Sequence, residues 1–382
     1  MTARFSQRLS SLTPSPVREI LRAATGRAVI SLAGGLPAEE TFPELPGLPR
    51  GWEQYGLTEG DLSLRQAISR HLEGRGLACP PERILVLNGS QQGLDLAAKL
   101  FVDPGTPVLC ESPTYVAALQ VFRFFGAALH GLPLEAKGPA PEAIAPLAAA
   151  HDPHLAYLIP NYQNPTGAVW SEAAREEFAR VADAREMAVL EDDPYGEIGF
   201  GQKLPKPICS RLRRASWMYQ SSFSKSFVPG LRLGFLAASE DLFVYLERLK
   251  QAADLHSNRL SQALVRADLS DPARPARLDA VRAEYRRRRD AFADSLSRHF
   301  PKAEFHAPEG GLFFWARLSR TLDLRAVAPQ AMAEGIAFLP GEHCFAGDPE
   351  LGWARFNFSH EPAERADKAL ARLSQLVAQA EG

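Results

Sequence analysis

Cysteine is scarce. The chain of 382 residues has four, Cys79, Cys110, Cys209 and Cys344, far apart and without a Cys-x-x-Cys pair. That spacing argues against a zinc site and against a disulfide framework, so they read as free thiols. Charge of one sign is missing too: the net charge is -2, which gives no field to attract nucleic acid. No uninterrupted apolar run approaches the roughly 20 residues of a membrane helix. Met1 to Pro16 lacks the apolar centre of a signal peptide. The expected location is the cytoplasm, with no membrane and no nucleic-acid partner. Internal repeats, low-complexity tracts and the Walker A and Rossmann glycine patterns are absent, and Gly89-Ser90-Gln91-Gln92-Gly93 does not have the Gly-x-Ser-x-Gly spacing of a nucleophile elbow. With 46% hydrophobic and 23% charged residues, the chain has the composition of an ordinary globular protein and the length for two domains.

Between about Glu82 and Ser239, short apolar runs alternate with helical patterns. Arg83 to Leu87, Pro107 to Cys110, Leu155 to Ile159 and Ala188 to Glu191 read as strands. Gln91 to Phe101, Val116 to Phe125 and Ser171 to Glu186, with Ser171 as N-cap, read as helices. This alternation predicts an α/β domain whose mostly parallel sheet is flanked by helices. After Asp271-Pro272 the pattern changes. A long basic helix (Ala276 to Arg298), strands at 303–306, 311–318, 336–339 and 353–358, and helices at 324–334 and 362–380 predict a smaller α+β domain. The expected division is an N-terminal segment, 1–45, joining the small domain; a large domain, 46–274; and the C-terminal small domain, 275–382.

In such a sheet, ligands bind at the carboxyl ends of the strands. The polar clusters of this chain fall there. Asn88-Gly89-Ser90-Gln91 follows a strand and opens a helix, where free N–H groups favour an anion. Asn161 to Gly167, Asp192-Asp193-Pro194-Tyr195 and Ser221 to Lys225 each follow another strand. Together they supply what pyridoxal phosphate asks of a protein. Lys225 is a lysine for a Schiff base, set among hydroxyls and followed by Arg232. Asp192 can keep the pyridine nitrogen protonated, Asn164 and Tyr195 can reach the ring hydroxyl, and Tyr115 can stack on the ring. Ser90, Gln91, Ser222 and Arg232 can hold the phosphate. Taken singly, each has an ordinary explanation: a turn for Asn164 to Gly167, an N-cap for Asp192, a core position for Tyr195, packing for Tyr115. Their joint order carries the cofactor reading.

Asn164-Pro165-Thr166-Gly167, Glu191 to Tyr195, Ser222 to Lys225 with Pro229 to Arg232, and Arg355 to Phe358 resemble the class I/II aminotransferases of fold type I. Ser31 to Pro37, Tyr55-Gly56 with Thr58-Glu59-Gly60, Gly89 to Gln92 and Asn161 to Asn164 point to the 2-aminoadipate and kynurenine aminotransferase-like branch. Ser221 departs from the glycine common in relatives. The resemblance implies that Lys225 carries pyridoxal phosphate and shuttles the Cα proton in a ping-pong transfer between an L-amino acid and a 2-oxo acid, by default 2-oxoglutarate. It implies that Arg355 binds the α-carboxylate, that Gly35 and Asn164 lie along the substrate, and that Tyr55 reaches the cofactor phosphate of the other subunit in a homodimer with shared active sites. Arg18 follows a Ser-x-x-Arg pattern that in aminoadipate-type relatives reads a distal carboxylate; a solvated helix-start arginine is the alternative.

Other motifs are weaker. His151 and His154 have ligand-like spacing but no third ligand nearby, so no metal is expected. Arg286 to Arg289, flanked by Glu284 and Asp290, reads as a solvated face or a dimer contact. Two rivals stay open at this level: another reaction on the same cofactor, such as C–S β-elimination or decarboxylation, and a non-catalytic effector-binding module.

Overall fold

A computed structural model describes residues 15–17, 19–20, 29–43, 52–201 and 203–381. In chain order its strands are β1 (Ile30–Ser31), β2 (Ile84–Leu87), β3 (Pro107–Ser112), β4 (Ala128–Pro133), β5 (Leu155–Leu158), β6 (Ala188–Asp192) and β7 (Trp217–Ser222). β8 (Gly234–Ala238), β9 (Glu304–Phe305), β10 (Phe313–Arg317), β11 (Ile336–Ala337), β12 (Leu339–Pro340) and β13 (Trp353–Asn357) follow. Seven of them form one sheet in the order β2-β8-β7-β6-β5-β3-β4. Ile-Leu-Val-Leu in β2 and Leu-Ala-Tyr-Leu in β5 are buried throughout, as expected for strands covered on both faces.

β8 alone runs antiparallel to its neighbours β2 and β7; the other pairs are parallel. Its reversal has a direct consequence for the site. The loop from Ser222 to Gly234 leaves the carboxyl end of β7 and re-enters the sheet at that same edge, so Lys225 and Arg232 both stay beside the ends of β2 and β6. β4 was not expected from the sequence. It is a half-buried edge strand, Ala-Leu-His-Gly-Leu-Pro, whose Gly131 packs so close to β3 that a Cβ there would lie 2.7 Å from Ser112 Cβ.

The second sheet, β12-β13-β10-β9, is antiparallel, and β1 pairs with β11 in parallel. The single strand expected over 336–339 is therefore two. Phe338 turns its ring into the core against Phe356, with centroids 6.0 Å apart, and the residues on either side join different sheets.

Ser171 caps the Glu172–Arg185 helix by accepting a bond from Ala174 N at 3.2 Å. The Arg274–His299 helix corrects one expectation. Its basic run is not uniformly a solvated face: Arg287 is exposed, but Arg288 is buried. Arg288 donates to Glu284 Oε1 at 2.7 Å and Ser359 O at 2.6 Å, and it pairs with Glu40. Arg289 lies over the Phe200 ring at 5.2 Å. The four cysteines are free and buried. His151 stacks on His130 with ring centroids 3.8 Å apart. Among the described residues no group of His, Cys, Asp and Glu is placed to hold a metal, and no helix is long and apolar enough to cross a membrane.

Candidate active site

Strand alternation distributes three consecutive acids at the end of β6. Glu191 turns to one face, accepting a bond from Cys209 N at 2.9 Å with Arg175 at 3.9 Å. Asp193 gathers Arg75, Asn161 and Tyr219 on one carboxylate oxygen, at 2.8–2.9 Å. Asp192 faces the other way. Its Oδ2 accepts a bond from the Tyr157 hydroxyl at 2.9 Å, while its buried Oδ1, with the Gln220 side chain close by, accepts no hydrogen bond from the described residues. Burial pushes this carboxyl up to about 7, against the Tyr157 and Gln220 side chains, which favour its charged form.

Lys225 lies in the turn after β7, and its Nζ donates to Gly35 O at 2.8 Å. Burial foremost, then Arg232 and Arg355, hold its amine down at about 8, so a neutral, nucleophilic form is accessible near neutral pH. Gly35 is needed for close approach: a Cβ there would stand 3.1 Å from the Phe313 ring and 3.9 Å from Lys225 Nζ. Arg355, on β13, is almost fully buried with its guanidinium 4.1 Å from the centroid of Phe313. It donates to Asn164 Oδ1 at 2.9 Å and to Ala33 O at 2.6 Å, and its Nε has no partner among the described residues. Tyr195 sits beside Asn164 and edge-on to Phe313, at 6.0 Å. Burial pushes its hydroxyl above the usual tyrosine range, so it remains a donor.

The anion cradle forms where β2, β7 and β8 meet. Gly89, at φ 79, precedes the Ser90–Phe101 helix and offers no side-chain cap. Because Gly89 has no Cβ, Arg232 Nη2 can lie against it, 2.6 Å from where a Cβ would be. Arg232 Nη1 reaches Ser224 Oγ at 3.4 Å, and Ser222 Oγ bonds Ser224 Oγ at 2.9 Å. Tyr115, which precedes the Val116–Phe125 helix, has its hydroxyl 3.5 Å from Gln91 Oε1. Open amides, hydroxyls and a guanidinium converge where a phosphate could rest.

The fold thus gathers Ser90, Gln91, Tyr115, Asn164, Asp192, Tyr195, Ser222, Lys225, Arg232, Arg355 and Gly35 along one sheet edge. Tyr55 stands apart, 80% exposed, with its ring edge-on to His256 at 5.7 Å. Arg18 lies outside the described residues. Two contributors escaped the sequence reading. Tyr157 holds Asp192; its signal was a hydroxyl inside a fully buried strand, which must find a partner. Asn357 donates to Gly34 O at 2.6 Å and Leu36 O at 3.0 Å and so fixes the segment that carries Gly35. It lies two residues after Arg355 and therefore on the same face of β13.

The unpartnered atoms test the cofactor. A buried carboxylate oxygen without a donor costs free energy unless a ligand completes it, and Asp192 Oδ1 suits the N–H of a pyridinium. The residues present fit pyridoxal phosphate. The sequence also matches the family described as aminotransferase class I and II over residues 37–373.

The chain belongs to that family.

This aminotransferase is 33% identical over 387 residues to the 2-aminoadipate transaminase of Thermus thermophilus, a match covering 98% of this chain and 96% of that one. It is 32% identical over 390 residues to aromatic-amino-acid aminotransferase 1 of Thermococcus litoralis, covering 98% and 94%. Among solved structures, the α-aminoadipate aminotransferase of Thermus thermophilus in complex with N-(5'-phosphopyridoxyl)-L-leucine is similar with a TM-score of 0.89 and 32% identity, covering 99% and 98% of the two chains. The kynurenine aminotransferase of Pyrococcus horikoshii gives 0.91 at 29% identity, covering 98% and 97%. The enzyme transfers amino groups with pyridoxal phosphate as cofactor, on a fold-type I scaffold.

Proposed function

We propose that this aminotransferase moves the amino group of an L-amino acid to 2-oxoglutarate in two half-reactions, with glutamate, 2-aminoadipate and aromatic amino acids as the donor class. One observation carries the reading: Lys225, with its lowered amine, and Asp192, with an unfilled oxygen, sit on adjoining strand ends of one sheet. Pyridoxal phosphate, when bound, supplies a ring that takes up the electron pair left at Cα. Lys225 would hold the cofactor through its aldehyde carbon, and its amine, once displaced there by the amine of the substrate, would be the base that takes the Cα proton and returns it. Asp192 would keep the ring nitrogen protonated, Asn164 and Tyr195 would reach the ring hydroxyl, and Tyr115 would cover the ring. Ser90, Gln91, Ser222 and Arg232 hold the phosphate. Arg355 takes the α-carboxylate, with Gly35 alongside; Arg18 would add a distal carboxylate contact.

Residues 46–274 form the cofactor domain in this reading, and 275–382 with the first 45 form the smaller one. Exposed Tyr55 supports a homodimer in which it completes the other subunit's phosphate cup. The cytoplasm is the proposed compartment. The test is the visible absorption spectrum of the purified protein before and after L-glutamate, L-2-aminoadipate and L-leucine. Loss of the yellow band on adding a donor, with release of the matching 2-oxo acid, is the expected outcome. A band indifferent to every amino acid would refute the assignment.

A further inference from the structure

Glu111 is fully buried near the end of β3, on the opposite face of the sheet from Asp192, and no role in the transfer has yet fallen to it. Its Oε2 accepts bonds from Ile159 N at 3.1 Å and Gln163 Nε2 at 3.0 Å, and its Oε1 from Trp170 Nε1 at 2.8 Å. A backbone N–H, an amide NH2 and an indole N–H are all donors. Only a group that accepts at both ends satisfies all three, so the shell selects an ionised carboxylate. Burial acts the other way and pushes Glu111 up to about 7. The other titratable groups near it are Asp192, Tyr157 and Cys110.

The carboxylate decides which way Gln163 points. An acceptor at Glu111 and a second at Pro113 O, 2.9 Å away, draw the NH2 end of Gln163 inward. Its Oε1 is thereby turned to receive Thr166 N at 2.9 Å and Thr166 Oγ1 at 2.8 Å. Gln163 O also accepts Gly167 N at 2.6 Å. The turn from Gln163 to Gly167 is thus closed on a side chain whose orientation is set from β3. Asn164 lies inside that turn, and its Oδ1 is where Arg355 Nη1 is anchored.

We propose that Glu111 is a positioning residue for amino-group transfer: acting through Gln163, it sets the turn that carries Asn164 and, through Asn164, the guanidinium of Arg355. The inference rests on the proposed roles of Asn164 and Arg355. Glu111→Gln puts an NH2 group against a donor and frees Gln163 to flip. Gln163→Leu cuts the relay while leaving Glu111 bonded to Ile159 and Trp170. Trp170→Phe removes a donor that is not on the relay.

The measurements, on the holoenzyme, are KM and kcat with L-glutamate and 2-oxoglutarate, the pH midpoint of the visible cofactor band, and the thermal midpoint. In Glu111→Gln and Gln163→Leu the band persists, its pH midpoint moves, and KM rises about tenfold or more with a smaller change in kcat, as a displaced binding group requires. In Trp170→Phe the thermal midpoint falls while KM and the band midpoint stay at wild-type values. Wild-type KM and band midpoint in Gln163→Leu would overturn the inference, even if Glu111→Gln fails to fold. A wild-type protein lacking the band would instead overturn the cofactor reading beneath it, so the two failures are distinguishable.

Discussion

Lys225 Nζ and Gly35 O, 190 positions apart in the chain, meet at 2.8 Å. The contact joins the turn after β7 to the segment held by Asn357 and places the amine among cations, Arg232 and Arg355, that help hold its pKa down. An amine so placed is poised both to bind an aldehyde and to move a proton.

Lys225→Ala should therefore lose the visible band of the lysine-linked cofactor and reduce kcat at least about 10³-fold, the scale of a lost general base and nucleophile. Absorption and steady-state kinetics check it. A variant that keeps more than a tenth of wild-type kcat would remove Lys225 from the proposed chemistry.

Asp192 predicts a pH dependence. Burial raises it from an ordinary 3.8 to about 7, so the cofactor-free native protein retains a proton that the unfolded chain has already lost. Between those pH values the native state binds more protons than the unfolded state, and stability contributed by this group falls as pH rises. Asp192→Asn lacks that dependence. The stability of cofactor-free wild type relative to this variant should decline by a few kcal/mol between pH 4 and 8. Urea midpoints at several pH values measure it, and parallel curves would count against it. With the cofactor loaded, the same substitution should lower kcat far more than it lowers cofactor affinity.

Arg355→Leu should raise KM for amino and 2-oxo acids about 10²-fold or more, the cost of a lost charge-assisted contact in a buried site, while the cofactor band persists. Loss of the band at the same time would move Arg355 from substrate to cofactor.

Tyr55 gives a test of shared sites. If it completes the other subunit's phosphate cup, mixing inactive Lys225→Ala with impaired Tyr55→Ala protomers should restore activity, because one site of each hybrid dimer receives both intact residues. Mixtures no more active than the sum of their parents would confine each site to one chain.

Arg288 bears on stability alone. Removing it takes the donor from Ser359 O in a buried site, while Glu284 keeps Arg287, and Arg288→Ala should cost about 2 kcal/mol, read from chemical denaturation. A loss below about 1 kcal/mol would return the residue to the exposed-charge class.

The sequence by itself determined many of the elements and most of the candidate reacting groups. Buried apolar runs such as Ile84–Leu87 and Leu155–Leu158 can only be covered strands, and Ser171 announces its helix by capping it. Lys225, Asp192 and Arg232 stood out because, at strand ends, they supply the amine, the carboxylate and the cation that pyridoxal phosphate asks of a protein. Tertiary structure decided what depends on approach between distant segments. The reversal of β8 is a matter of pairing, not of local pattern, and it keeps Arg232 beside Gly89. The division of 336–340 between two sheets follows from where Phe338 is buried, and Arg288 is internal because Glu40 and Ser359 come to meet it. Asn357, Tyr157 and Glu111 gained their parts in the same way: a polar side chain in a buried strand announces that it needs a partner, but only the folded chain says which one.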